Sequence, residues 1–326
     1  MERILFMEPI KLIPAYKDYI WGGNLLKTKY NKISDKEIIA ESWELSCHKD
    51  GQSVVANGKH EGKTLTEYIK SEGKEVLGSR SKRFKDFPIM IKLIDAKNDL
   101  SVQVHPDDAY ALKHEGGFGK TEMWYILECE AGASLIYGFK QSISKEEFAE
   151  RIKENTLMEV VNKVPVKKGD VFFINAGILH AIGKGIVLAE VQQNSNLTYR
   201  VYDYGRLGAD NKPRDLHIEK AIEVTNLNPA TRRPGAMGQP EDNEGFTRTL
   251  LSQCDYFQTE IIEVKTKALF NVNDESFVSI LCLEGDTEIV YGKDIMCVQR
   301  GDSIFLPAGM GKYEITKPCT LLVTRV

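Results

Sequence analysis

Apolar positions in this chain fall in short runs that keep the alternation of strands rather than a helical period. FPIMIKLI (87–94), LSVQVH (100–105), EMWYIL (122–127), SLIYGF (134–139), DVFFI (170–174), GIVLAEVQ (185–192) and LTYRVYDY (197–204) form a first series. SFVSILCL (276–283), TEIVYG (287–292), SIFLPAG (303–309) and TLLVTRV (320–326) form a second. Turn residues separate them at spacings typical of sandwiches and barrels, with no regular helices between strands as an α/β protein requires. Helical patterns are confined to 64–71, 144–156 and 215–224, with Ser144 an N-cap candidate three residues ahead of Glu147. The predicted class is mainly β, with a few short helices as excursions from the sheets.

The two series repeat each other. VKKGDVFFINAGILHAIG (166–183) and VQRGDSIFLPAGMGKYEI (298–315) share Gly-Asp, five residues, then Ala-Gly: Gly169, Asp170, Ala176 and Gly177 against Gly301, Asp302, Ala308 and Gly309. Two related β-barrels in tandem follow. The Pro-, Gly- and Asn-rich stretch 226–245 reads as the linker, which divides the chain into 1–230, with an N-terminal extension and the helical excursions, and a degenerate barrel over 231–326. The copies differ in polar residues. Lys312 stands where the first copy has His180, Ser276 aligns with Glu122 when the apolar alternation is kept, and no counterpart of QVH precedes the second copy. A functional site is therefore expected in the first barrel.

Totals limit the function classes. A length of 326 residues allows about two domains. A net charge of −4 with 28% charged residues gives no footprint for nucleic acid or an anionic membrane. The six cysteines are scattered without a CxxC pair, which suits buried thiols in a reduced, cytoplasmic protein. The opening stretch 1–23 has an acid at position 2 and prolines at 9 and 14, so it reads as neither a signal peptide nor a membrane span.

Strand parity groups the polar residues of the first barrel. Ser101, Gln103 and His105 share a face, as do Lys120 and Glu122, Glu190 and Gln192, and Arg200 and Tyr202. Lys92 lies inside an apolar strand and needs a counter-charge or a ligand. His105, Glu122 and His180, with Gln103 as a further oxygen, suit a divalent metal with nitrogen and oxygen ligands. Spacing alone favours a hydrogen-bonded polar barrel interior over a metal. GGFGK (116–120) lacks the strand-to-helix setting of a phosphate loop and reads as a hairpin loop.

FPIMIKLIDAKNDLSVQVHPDD (87–108), GKTEMWYIL (119–127), NAGILHAIG (175–183) and LTYRVYDYGRLGADNKPRDLHIEKA (197–221), with AESWELS (40–46) and the Trp-Gly pair at 21 and 22, resemble type I mannose-6-phosphate isomerase. This is the zinc-dependent phosphomannose isomerase of the cupin superfamily, here in its short bacterial form. The resemblance covers about residues 10–225 and implies tandem cupin-type jelly-roll barrels and one Zn2+ per chain on Gln103, His105, Glu122 and His180. It places the essential arginine at Arg200 and substrate or phosphate contacts at Lys92, Ser101, Lys120 and Arg206. Glu190 and Glu44 match carboxylates of the family's pocket. Larger members insert a helical domain where this chain has only the short helix near 144–156, so a more open pocket rim is expected.

The implied reaction interconverts mannose 6-phosphate and fructose 6-phosphate through a cis-enediol(ate), with zinc stabilising the developing charge and Glu190 or Lys120 carrying the proton. The implied partner is a small sugar phosphate, and a homodimer is compatible with the family. Two other readings keep the same ligands: a cupin iron oxygenase, which needs neither Arg200 nor the lysines, and a non-catalytic sugar-phosphate-binding cupin, which predicts binding without turnover.

Overall fold

A computed structural model describes residues 7–208 and 211–326. The first six residues of the opening stretch and residues 209–210 of the 197–221 motif lie outside the described residues. Each half of the molecule is a two-sheet sandwich of antiparallel strands, as the mainly β cupin reading expects, although the hydrogen-bonded sheets stay open and do not close into barrels.

In the first half, a six-stranded sheet runs in the order 171–174, 122–129, 186–193, 89–96, 41–45, 15–17. It faces a five-stranded sheet containing Val102–Val104, Ser134–Phe139, His180–Ala181 and Tyr199–Tyr202. Ile94, Trp124, Phe172 and Leu188 pack between them against Leu135 and Tyr137. The opposite face of the larger sheet, with Ile91, Leu93, Met123, Leu127, Ala189 and Val191, packs against Leu251, Ile261, Leu281, Phe305 and Leu322 of the second half. Strands such as Ile89–Ala96 are therefore buried on both faces, and this is why they read as near-continuous apolar runs. Against that background a lysine at 92 stands out.

The division at residue 230 does not follow the sheets. Ile10–Ile13 pairs with Ser303–Leu306 and with Val54–Val55, so part of the N-terminal extension completes the second half's eight-stranded sheet. The expected linker is also tied down. Asn226 N donates to Gly177 O at 2.7 Å, Tyr137 Oη to Arg232 O at 3.1 Å, and Gly235 N to Val171 O at 2.8 Å. Its last residues form the strand Glu241–Asn243.

The helices at Leu65–Glu72, Lys145–Lys153 and Ile218–Val224 lie where the pattern predicts, and Ser144 Oγ accepts from Glu147 N at 3.1 Å. A helix at Asp108–His114, capped by Asp107, is additional; its single buried residue, Ala111, leaves no amphipathic period to detect. Among the described residues no helix is long and apolar enough to cross a membrane.

The internal repeat holds at the level of hydrogen bonds. Asp170 Oδ2 accepts from Lys167 N at 2.9 Å and Asp302 Oδ2 from Gln299 N at 2.7 Å, closing the same turn around Gly169 and Gly301, both at φ +89°. A side chain at either glycine would be forced into the left-handed region. Gly169 N bonds to Ile126 O and Gly301 N to Cys282 O, which equates Ile126 with Cys282 and therefore Glu122 with Val278. The alignment with Ser276 is displaced by two residues, an error that preserves strand parity and so cannot be seen from alternation.

Candidate metal centre and pocket

His105, Glu122 and His180 come from three separate segments and are all buried, with ligand-capable atoms within 4.8 Å of one another. Glu122 opens one central strand, His180 lies in a short strand paired to Gln103, and His105 follows the strand Val102–Val104. His105 Nδ1 lies 2.9 Å from Leu197 O and His180 Nδ1 2.8 Å from Ile178 O. Each carbonyl calls for a protonated Nδ1, which turns an Nε2 lone pair toward Glu122. Those nitrogens stand 3.6 Å and 3.3 Å from the Glu122 oxygens.

Burial and the nearby Lys120 ammonium push both imidazoles below their ordinary range, His105 well below and His180 to about 4, so both are neutral at working pH. Burial and the Glu190 charge raise the Glu122 carboxyl, with Lys120 opposing. Glu122 Oε1 and His180 Nε2 are buried without a hydrogen-bond partner, and Glu122 Oε2 meets only the Lys120 ammonium at 2.6 Å, a costly arrangement for polar atoms. Two neutral imidazoles and a carboxylate converging on orphaned atoms fit a divalent cation of the zinc type.

A pocket of about 260 Å3 opens beside this cluster, lined by Lys92, Ser101, Gln103, Lys120, Glu190 and Arg200, together with Glu41, Asn196, Thr198 and Arg214. Lys120 Nζ lies 2.6 Å from Glu122 Oε2, 3.2 Å from His105 Nε2 and 3.6 Å from Glu190 Oε1. Burial alone would raise the Glu190 carboxyl. Lys120, Lys92 and the Trp124 indole N–H, 2.9 Å from Oε2, outweigh it and bring Glu190 down to about 2. Lys92 lies 3.4 Å from both Glu41 and Glu190, so the buried lysine has its counter-charges. Arg200 donates from Nη1 to Asp215 O at 2.8 Å, and its Nε has no partner.

Two expected contacts lie elsewhere. Glu44 points away from the pocket: it is fully buried, with Lys32 Nζ at 2.7 Å and Ser42 Oγ at 2.6 Å. The carboxylate that strand Glu41–Leu45 presents to the pocket is Glu41, which shares a face with Trp43, the register partner of Lys92. Reading AESWELS by parity against Lys92 would have selected it. Arg206 is held instead by Asp203, Oδ1 to Nη2 at 2.5 Å, and by Asp99 O. Asp203 also takes a two-point grip from Arg214, at 2.7 and 2.5 Å, and Arg214 is the member of this group that reaches the pocket. Its position in the irregular run after 204 carries no periodic signal. The six cysteines are unpaired, but of the buried thiols expected only Cys282 and Cys319 are buried, while Cys47, Cys129 and Cys254 are half-buried and Cys297 is exposed.

The second half lacks the metal set at the matching positions. Gly177 N bonds to His105 O as Gly309 N does to Asn273 O, and Gln103 pairs with His180 as Asn271 does with Lys312. Gln103, His105, Glu122 and His180 thus correspond to Asn271, Asn273, Val278 and Lys312.

Comparison with known proteins agrees with this geometry. The family model of the phosphomannose isomerase type I catalytic domain matches residues 10–125, and that of the mannose-6-phosphate isomerase cupin domain matches residues 247–326. A mannose-6-phosphate isomerase of Bacillus subtilis is 37% identical over 312 residues, covering 94% of this chain and 96% of that protein. One from Streptococcus mutans is 36% identical over 308 residues, 94% of this chain and 95% of that protein. The crystal structure of the Bacillus subtilis mannose 6-phosphate isomerase superposes with a TM-score of 0.91 at 36% identity, over 98% of this chain and 99% of that one. A zinc-bound mannose 6-phosphate isomerase superposes at 0.76 over 97% of this chain and 98% of its own, but at 17% identity that likeness is one of fold. With relatives this similar along nearly their whole length, the chain belongs to the type I phosphomannose isomerase family.

Proposed function

We propose that this chain interconverts mannose 6-phosphate and fructose 6-phosphate, with one zinc ion held by His105, Glu122, His180 and Gln103. The observation that carries the reading is the buried Glu122, whose Oε1 lacks a hydrogen bond and faces the equally unpartnered His180 Nε2, while Oε2 meets Lys120 and lies 3.6 Å from His105 Nε2. When bound, zinc supplies Lewis-acid polarisation of the substrate oxygens that gain negative charge.

The chain's own residues do the rest. Glu190, ionised between Lys92 and Lys120, takes the proton from one of the two reacting carbons and returns it to the other, passing through a cis-enediol(ate). Lys120 bridges Glu190 and the metal carboxylate, so it balances both charges as the proton moves. Arg200, with an unpartnered Nε at the pocket wall, holds the oxygens on which charge develops. Lys92 and Ser101 bind substrate oxygens, and Arg214 takes the phosphate-side role first expected of Arg206. Chemistry resides in the first half, and the second half is not catalytic. The unpaired thiols suit a reducing cytoplasm.

Metal analysis and an assay coupling fructose 6-phosphate to mannose 6-phosphate formation test the proposal. Zinc near one per chain and conversion that stops on chelation are expected. No conversion by fully zinc-loaded protein would refute the isomerase reading; iron in place of zinc, with oxygen consumption, would point to the oxygenase.

A further inference from the structure

The second half keeps a pocket at the place where the first half has its candidate metal ligands. A cavity of about 260 Å3 there is lined by Arg248, Glu260, Asn271, Asn273, Val278 and Arg325, with Arg80 and Glu275 at its rim. Strand registers match these residues to the first pocket one by one. Ile280 pairs with Val323 as Trp124 pairs with Glu190, which equates Val323 with Glu190 and Arg325 with Gln192. Val323 pairs with Glu260 as Glu190 pairs with Lys92, so Glu260 occupies the Lys92 position. Arg248 pairs with Ile262 as Glu41 pairs with Ile94, so Arg248 occupies the Glu41 position.

The chemistry has been inverted. The buried Lys92–Glu41 pair of the first pocket, 3.4 Å apart, becomes Glu260–Arg248 at 3.8 Å. The metal carboxylate position is Val278, and Asn271 and Asn273 replace Gln103 and His105. The cavity therefore has no acidic or imidazole metal set, and three arginines face two glutamates within it. Glu260 is nearly fully buried and is satisfied by Arg325 Nη1 at 2.7 Å. Arg248 Nε is buried without a hydrogen-bond partner, and Arg80, whose Nη2 donates to Glu275 Oε2 at 2.5 Å and whose other donors are left over, reaches the rim on a turn stapled to it by Ser79 N to Asp274 O and Arg80 N to Glu275 O, both at 2.9 Å. Guanidinium forks beside amide side chains are donors for a tetrahedral oxyanion.

We infer that this cavity is a second, metal-independent binding site for a phosphate group, either free or carried by a small metabolite. Glu260 holds Arg325 in place at its floor, and Arg248, Arg325 and Arg80 supply the donors. Because Arg248 and Arg80 lie outside the catalytic pocket, occupancy is separable from turnover.

The test uses the zinc-loaded enzyme. Binding of inorganic phosphate and of glycerol 3-phosphate is measured by titration calorimetry, with and without saturating fructose 6-phosphate to occupy the catalytic pocket. One phosphate site per chain should persist under saturation. It should weaken at least tenfold in Arg248→Gln and in the rim variant Arg80→Ala, with kcat/KM unchanged. Tighter binding of glycerol 3-phosphate than of phosphate would assign the site to organic phosphates, and the reverse to the free ion. The inference fails if saturation abolishes all phosphate binding, or if the residual site is insensitive to both substitutions in variants whose melting matches the parent.

Discussion

Lys92 and Glu190 are register partners on neighbouring central strands, and their charges meet 3.4 Å apart inside a sheet that is buried on both faces. Glu190 is ionised because Lys92 and Lys120 together outweigh its burial. A carboxylate kept charged and linked through Lys120 to the Glu122 carboxyl is well placed to move a proton.

Glu190→Gln keeps the shape and removes the proton acceptor. Turnover should fall by about 10^2–10^4-fold, the usual scale for a general acid–base group. Bound zinc should stay near the parent level. Near-parental kcat in a folded, zinc-loaded variant would shift the proton-carrying role to Lys120.

His180→Ala removes a neutral imidazole that contacts Glu122 at 3.3 Å and whose tautomer is fixed by Ile178 O. Metal and activity should be lost together, measured by elemental analysis and the coupled assay on the same preparation. Retention of one zinc per chain would take His180 off the ligand set.

Arg200→Ala tests whether binding is stronger in the transition state. Arg200 lines the pocket but is not part of the His105, Glu122 and His180 cluster, so zinc should remain bound. If Arg200 meets the charge that develops during reaction, kcat drops with KM little changed. A rise in KM alone would make it a substrate-binding residue only.

The residues that sequence placed well are those on regular strands. Parity marks Lys92, Glu122 and Glu190 as inward-facing polar positions and the family resemblance supplies their roles; the strands that carry them are in register and alternate without interruption at these positions. Errors sit where geometry departs from that regularity. Glu44, the carboxylate expected at the pocket, lies on a strand with a register shift between Trp43 and Leu45, and it is Glu41 that faces the pocket. Arg206, expected to meet the phosphate, follows a stretch where Tyr204 takes φ +57° and the chain leaves the sheet, and it is Arg214 that lines the pocket. The N-terminal strand's pairing with Ser303–Leu306 is a contact across nearly the whole chain, and local patterning carries no trace of it.

Asp203 links that irregular run to the pocket. Burial alone would raise its carboxyl, but hydrogen bonds from Arg214 and Arg206 outweigh this and hold it below its ordinary value of 3.8. A carboxyl lowered in the folded state adds stability that is fully present above pH 3.8 and is lost as pH falls through the folded value. The pair should therefore contribute a constant amount between pH 5 and pH 8, as the parent's denaturant midpoint would show. Asp203→Asn removes the anion between two guanidiniums and should cost about 3 kcal/mol across that range, the scale for breaking a buried pair by deleting one partner. The deficit relative to the parent should narrow below the folded pKa, where the parent carboxyl is also neutral. Because Arg214 lines the pocket and loses its two-point support, KM for the sugar phosphate should rise several-fold with zinc retained. An unchanged KM in the folded variant would remove Arg214 from the substrate contacts and leave Asp203 a purely structural anchor.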